Sequence, residues 1–576
     1  MKEFNWDLSL IYNSDESIQK DMKKIEDLIA KFSNIKSEKN TSLEELLKVV
    51  EEASIIMSRL IAYSNMKRDE DTTVSKSQKT ALEVEALSAK MSEEFSSFEP
   101  IVMSTSEEKI NDFMKKSDRD DYKQVILRTL RNKPYVLSEK EEYLLSMAQD
   151  IASDTENSFY MLSYADMRFP VIESDKEKRV LTHANYSNFQ TDPNRQVRKE
   201  SFEKMYETYG KYVNTFAADY YGHVKAKEKL AKARNFKSNL SQELFGDNVD
   251  EKVYDTLIEA IHDYIPVLSK YMDIKKKYLG VDEIHNYDLY VPLFEKDETK
   301  YRYEEAEQII KNALKPLGEE YLSILKKGFE DRWIDVYPKE GKKAGAYSFG
   351  AYDTNPYILM NYTDNLNSVF TLAHELGHSI HSYYSRKNNP FLQSDYTIFV
   401  AEVASTTNEL LLYNYMLKNA DTDIQKKNLM VYNMEQFRTT VFRQVMFAEF
   451  EKIVHDEVLS GKALTAESLN EIYYNLNKTY YPTVKLNDEI ALEWARIPHF
   501  YSDYYVYKYA TGFTCATFLS QAVLKGSENV NRYINFLKDG NKNYPIDQLK
   551  IAGVDISKKE TICQALDVFK DTLDKF

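Results

Sequence analysis

His374-Glu375-Leu376-Gly377-His378 sets two imidazoles four residues apart, with a carboxylate beside the first. On a helix, residues four apart share a face, so both rings can reach one ion. Glu375, one position on, can touch a water at that ion without being a ligand. The chemistry this spacing supports is metal-assisted hydrolysis with Glu375 as general base. A catalytic zinc also needs a third protein ligand and an open position. His381 lies one turn past His378 on the same face. One straight helix does not aim three histidines at one tetrahedral centre, so His381 is expected beside the ligands rather than among them.

The third ligand is sought on the next helical stretch, Phe399-Val400-Ala401-Glu402-Val403-Ala404-Ser405-Thr406-Thr407-Asn408-Glu409. Glu402 and Glu409 are seven apart, hence on one face of a segment otherwise apolar or small. The small neighbours Ala401, Ala404 and Ser405 point to close helix packing. A helix returning after the turn at Pro390 lays Glu402 against His374 and His378 as a ligand, and Glu409 becomes an acceptor for a ligand imidazole N–H. Other hydrolase patterns fail. The metzincin pattern needs Gly at 381 and His at 384, where this chain has His381 and Tyr384. Gly377-His378-Ser379-Ile380-His381 lacks the second glycine of a serine nucleophile elbow.

The elements that must position these groups read as helices. Leu366, Val369, Phe370, Ala373, Leu376 and Ile380 form an apolar stripe through the histidine motif, and Asn388-Asn389-Pro390 stops it. Just ahead, Gly341, Gly345 and Gly350 punctuate aromatic and aliphatic runs over about 344–362, which predicts a small β-sheet. Capping signals at Ser42-Leu43-Glu44-Glu45 and Ser138-Glu139-Lys140-Glu141 open helices. Asp192-Pro193 reads as an N-cap with proline at the first helical position, opening a stretch to about Leu230.

The 576 residues hold 15 Gly and 13 Pro; average usage would give roughly 40 and 29. Residues 1–209 contain no glycine at all. Tight hairpins and phosphate-cradling loops rely on glycine for positive φ, so a β-sandwich, a P-loop enzyme or a dinucleotide fold is excluded as the starting expectation. The expected fold is mainly α, with an N-terminal helical lobe over 1–190 and a catalytic domain over 191–576. A net charge of −16 argues against nucleic acid and anionic membranes as partners. Two cysteines cannot make a disulfide framework, no uncharged apolar run approaches the roughly 18 residues that span a bilayer, and the first residues lack the apolar region of a signal peptide, so a cytoplasmic location is expected.

Beyond the motif, a resemblance extends over much of the chain. His374-Glu375-Leu376-Gly377-His378, followed by Glu402 in Phe399-Val400-Ala401-Glu402-Val403-Ala404-Ser405, resembles the thimet-oligopeptidase-like zinc metallopeptidases, in particular the oligoendopeptidase F group. Gly345-Ala346-Tyr347-Ser348, Tyr352-Asp353-Thr354-Asn355-Pro356-Tyr357 and Asp364-Asn365-Leu366 are similar to that group. So are Arg496-Ile497-Pro498-His499-Phe500-Tyr501, Tyr505-Val506-Tyr507-Lys508-Tyr509-Ala510-Thr511-Gly512 and the early Trp6-Asp7-Leu8. The resemblance implies two helical lobes around a deep channel, one zinc ion per chain at its floor, and short unstructured peptides as substrates. It also implies an oxyanion-stabilising His and Tyr downstream of the ligands. His499 fits the first role. Tyr501, Tyr504, Tyr505, Tyr507 and Tyr509 are available for the second, with Tyr507 and then Tyr505 favoured by similarity. Gly345, Ala346, Tyr347, Tyr352 and Tyr357, with Tyr501, are the expected substrate contacts, the strand segment adding to a bound peptide backbone.

Two alternatives stay open. One is a zinc carboxypeptidase or dipeptidyl carboxypeptidase on a related helical fold, which would need a cation for the substrate's terminal carboxylate. The other is a helical binding protein with a closed structural metal, in which Glu375 would have no role. Sequence leaves the oligomeric state undecided.

Overall fold

The glycine-poor chain builds long helices, and helix dominates the described residues of the computed structural model, 4–37, 42–173, 178–295 and 299–576. Two compact units form, each from three separated stretches. Met1–Pro134, Glu298–Lys418 and Ala516–Val554 make the first; Tyr135–Asp297, Asn419–Cys515 and Asp555–Phe576 make the second. Residue 190, the division drawn from sequence, lies within the second unit.

In the first unit, helices α1 (Asp15–Lys36), α2 (Leu43–Glu70) and α3 (Ser75–Phe95) pack through Ile25, Phe32, Leu46, Ala53, Leu60 and Val84. The Ser42 side chain accepts from the Glu45 amide at 3.3 Å and so caps α2. Trp6 and Leu8 pack with Ala62 and Met66 of α2 and with Tyr357 and Leu359. The early Trp-Asp-Leu segment therefore props a three-stranded sheet. Its strands are β1 (Ile334–Asp335), β2 (Tyr347–Phe349) and β3 (Tyr357–Leu359), in the order β1-β3-β2. Central β3 runs parallel to β1 and antiparallel to β2, with Ser348 opposite Ile358. The sheet falls where glycines and aromatics predicted it, except that β1 was not anticipated; two residues show no alternation. Among the described residues, β2 pairs with a strand on one side only.

Helix α4 (Leu366–Asn388) follows, its first turn capped by Asn365, whose side chain accepts from the Ser368 amide at 2.9 Å. It buries Val369, Phe370, Ala373, Leu376 and Ile380, the stripe that the periodicity demands. Helix α5 (Ile398–Lys418) lies against it, and α6 (Ser527–Lys538) packs on its far end.

In the second unit, Ser138 and Glu141 form both halves of a capping box at the start of the helix Glu139–Tyr160. A short hairpin, Val171–Glu173 with Lys178–Val180, interrupts a stretch expected to be all helical. The helix expected to open at Asp192-Pro193 begins instead at Arg195 with Asn194 as its cap, while Asp192 accepts from the Asn194 amide at 2.8 Å. That stretch also breaks at Lys211–Tyr212 into Arg195–Gly210 and Val213–Ala233. The Lys211 and Tyr212 amides bond to the carbonyls three residues back, tightening the end of the first helix just after Gly210. No helix among the described residues is long and apolar enough to cross a membrane.

Candidate metal centre

Gly377 sets the distance between α4 and α5. A Cβ built there would lie 2.5 Å from the Ser405 Cα and 2.9 Å from the Ala404 carbonyl oxygen. Only glycine lets the backbone of α5 approach this closely. Buried Asn408 then ties the two helices, its amide donating to the Ala373 carbonyl at 3.2 Å while its oxygen accepts from the Tyr321 hydroxyl at 2.8 Å. The tie grips α4 one residue before His374. Asn408 was not singled out from sequence, although a polar residue in the apolar run of α5 was the available signal.

This packing brings His374, His378 and Glu402 together. The two Nε2 atoms are 3.1 Å apart. Glu402 Oε2 lies 3.3 Å from His374 Nε2 and 3.5 Å from His378 Nε2. Donors held at zinc-ligand distances in a tetrahedron are about 3.3 Å apart, so the three atoms fit one ion. Nδ1 of His374 donates to Glu409 Oε1 at 2.6 Å, which directs the lone pair of Nε2 to the common point. The Ser405 hydroxyl donates to Glu402 Oε2 at 3.0 Å.

The electrostatics of the site call for positive charge. Burial alone would lower the His374 pKa, yet the Glu402 and Glu409 carboxylates outweigh it and raise it to about 10. Burial likewise works against ionising Glu402, but hydrogen bonds from His374 and His378 hold its carboxyl below the usual carboxylate range. Two imidazoles and a carboxylate turned toward one point are reconciled only by shared positive charge, from a proton or a metal ion. The side chains of His374 and His378 are half-buried and that of Glu402 is 45% exposed, so the centre keeps an open side. Glu375 is buried beside it, and burial pushes its carboxyl pKa up, the direction a general base at neutral pH needs.

His381 is packed elsewhere. Its ring lies flat on Tyr396, 3.7 Å between centroids and 8° between planes, and its Nδ1 has no hydrogen-bond partner. Burial drops its pKa to about 3, so it is a neutral core residue and not a support for the ligands.

The residues expected to meet substrate divide. Gly345 is exposed at a φ of +86°, its carbonyl accepting from the Asn361 side chain at 2.8 Å, and Ala346 is half-buried next to it. Tyr347 is half-buried and donates to Asp69 at 3.1 Å; Tyr352 is half-buried and donates to the Asn389 carbonyl at 2.9 Å. The Ser348 hydroxyl meets that of Ser379 at 2.8 Å and pins β2 to α4. Tyr357 is fully buried, its hydroxyl donating to the Asp7 carbonyl at 3.0 Å, because it belongs to the central strand. Tyr501 is also buried, packed on Phe159 and His223 in the second unit. These two are core residues and not substrate contacts.

Also in the second unit, His499 is half-buried, and burial lowers its pKa. Its ring lies 6.1 Å from that of Tyr509, which stands edge-on to Tyr505 at 5.2 Å. Tyr507, favoured from sequence, turns away into the core against Tyr254 at 5.1 Å, and burial raises its pKa steeply. Tyr505 and Tyr509 are the half-buried tyrosines of this cluster.

Comparison with known proteins identifies relatives along the whole chain. The model of peptidase family M3 matches residues 188–568, and that described as oligopeptidase F matches residues 102–169. Oligopeptidase PepF of Bacillus subtilis (strain 168) is 43% identical over 100% of this chain and 87% of its own length. Group B oligopeptidase PepB of Streptococcus agalactiae is 38% identical over 99% of this chain and 96% of its own. Among solved structures, oligoendopeptidase-F from Enterococcus faecium superposes with a TM-score of 0.74 at 32% identity, covering 97% of this chain and 98% of that one. With a family match over most of its length and relatives this similar end to end, the chain belongs to peptidase family M3.

Proposed function

We propose that this metallopeptidase is a zinc-dependent oligoendopeptidase that cleaves short unstructured peptides at internal bonds. The observation that carries the reading is the convergence of His374 Nε2, His378 Nε2 and Glu402 Oε2 at separations of 3.1–3.5 Å with one side open. Two imidazoles and a carboxylate suit zinc, and the open side distinguishes the set from a closed structural site. A zinc ion held there supplies the Lewis acidity that makes water nucleophilic near neutral pH.

The rest is done by the chain. Glu409 fixes the tautomer of His374. Glu375 takes the proton of the attacking water and delivers it to the leaving amine. His499 and Tyr505 donate hydrogen bonds to the oxyanion that develops on the scissile carbonyl. The edge of β2 receives the peptide backbone as an added strand, with Gly345 and Ala346 leading into it, which gives binding tolerant of sequence.

The test is mass spectrometry of products from a mixed peptide pool, with blocked and free termini, with and without chelator. Internal cleavage of blocked peptides, abolished by chelator and restored by zinc, is expected. Release from the C-terminus alone would instead identify a carboxypeptidase.

A further inference from the structure

A second set of ionisable side chains lies in the second unit, between the helices Val213–Ala233 and Arg443–Leu459. His223, Glu228, Glu451 and His455 are all at most 5% exposed, and Asp503 is 8% exposed. Asp503 is the hub. Its Oδ1 accepts from His223 Nε2 at 3.0 Å and faces His455 Nε2 at 3.5 Å, while Lys227 pairs with its Oδ2 at 2.9 Å. On its other side, His455 Nδ1 donates to Glu228 at 2.8 Å.

The next residue, Tyr504, is held at a φ of +51°. It is the one aromatic residue among the described non-glycine residues in the left-handed region; the others are Asn235, Asn248 and Arg332. A bulky side chain there is strained and persists only where its surroundings impose the conformation. Glu451 imposes it, its Oε1 accepting from the Tyr504 amide at 2.7 Å. The Tyr504 ring is wedged between His455 at 4.8 Å and Tyr254 at 5.6 Å. The turn is continuous with His499: the Ser502 amide donates to the His499 carbonyl at 2.9 Å, and the Tyr505 amide donates to the Ser502 carbonyl at 3.2 Å.

We infer that Glu451 and Asp503 are positioning residues that lock the Ser502–Tyr505 turn and, through it, fix the attitude of His499 and Tyr505. The inference rests on the oxyanion role proposed for those two. Neither carboxylate touches the reacting atoms. Each acts through the backbone, Glu451 by satisfying a strained amide and Asp503 by anchoring its neighbour to two helices. Donor atoms of Glu451, His455 and Asp503 fall within 4.8 Å of one another, the spacing of a metal site. However, the Lys227 ammonium and a hydrogen bond from the His223 ring already occupy Asp503, and a cation would have to compete with both. Burial pushes the Glu451 carboxyl above the usual carboxylate range, and what the turn uses is the Oε1 acceptor on the Tyr504 amide, which a Gln side-chain oxygen also supplies. Gln is therefore its conservative replacement.

The experiment is a double-mutant cycle on the zinc-loaded full chain. Glu451→Leu is expected to lower kcat roughly 10–100-fold, the scale of a small misplacement of a catalytic donor. KM should stay within about twofold and metal content at one ion per chain, while Glu451→Gln retains most of the activity. In a His499→Ala background, Glu451→Leu should cost clearly less than in the parent, because the share that acts through His499 is already gone and only the share through Tyr505 remains. If Glu451→Leu does not fold, the isosteric Asp503→Asn loosens the same turn and should lower kcat severalfold with the same non-additivity. Unchanged kcat in a folded variant overturns the inference, as does a fully additive cycle. Two metal ions per chain, one of them lost on Glu451→Leu, would make the cluster a metal site instead. Should His499→Ala alone leave kcat intact, the oxyanion reading fails first and the inference falls with it.

Discussion

Nδ1 of His374 donates to Glu409 Oε1 across 2.6 Å, linking helices α4 and α5 at the centre of the site. The bond commits Nδ1 to its proton, so Nε2 is the atom that His374 offers to a metal, aimed where Nε2 of His378 and Oε2 of Glu402 also point. Ring orientation, tautomer and basicity are thus set by a carboxylate that is not itself placed to be a ligand.

Glu409→Ala is therefore expected to weaken metal affinity by roughly 10–100-fold, the usual effect of removing such a support. Competition against a fluorescent chelator measures it directly. Activity should return at high zinc concentration. Loss of activity that saturating zinc does not restore would mean that Glu409 does more than orient His374.

Glu375→Gln separates proton transfer from metal binding. Gln keeps the volume of a buried side chain but cannot accept the proton of water. The expected result is a fall in kcat of roughly 10²–10⁴, with one zinc still bound and peptide KM little changed. A variant that cleaves a quenched nonapeptide at the parental rate would refute the general-base assignment.

The parts of the site whose convergence was legible in the sequence are those in which a period meets a motif. His374, His378, Glu402 and Glu409 keep helical spacing, and small residues in α5 announced close packing. The atoms doing that packing were less legible. Gly377 reads as a motif filler until the Ser405 backbone is seen 2.5 Å from where its Cβ would stand. The choice of Tyr505 over Tyr507 depends on which way each ring turns where the helix Tyr507–Leu524 begins, and similarity of a Tyr-x-Tyr segment carries no such information. Elsewhere, Asp192-Pro193 had the chemistry of a helix start, but Asn194 took the cap because its side chain reaches the Gln196 amide at 3.0 Å.

Gly377→Ala reverses the usual sign of a glycine replacement. In an exposed helix this change stabilises by about 1 kcal/mol. Here the new methyl meets the backbone of α5, which cannot rotate aside as a side chain can. A loss of about 1–3 kcal/mol is expected, read as a lower melting temperature. Metal affinity should fall as well, because separating α5 from α4 draws Glu402 away from both histidines. A variant with lowered stability but parental zinc affinity would show that the helices part without moving the ligands.

His381 makes acid stability testable. Its folded pKa, about 3, lies below the unfolded value, near 6.5. The unfolded chain therefore binds a proton that the folded chain refuses. The neutral ring's contribution is fully present above pH 6.5 and is lost as pH falls from there toward 3. The slope is about 1.4 kcal/mol per pH unit, or about 2 kcal/mol by pH 5. His381→Phe keeps a flat ring against Tyr396 and has nothing to protonate, so its stability should fall less over that window. Chemical unfolding of both chains at pH 7 and pH 5, in excess chelator, reads the difference: metal loss is removed, and the other ionisable groups are the same in the two chains. Parallel pH profiles for parent and variant would mean that His381 takes up its proton in the folded state, which the stacked and buried ring argues against.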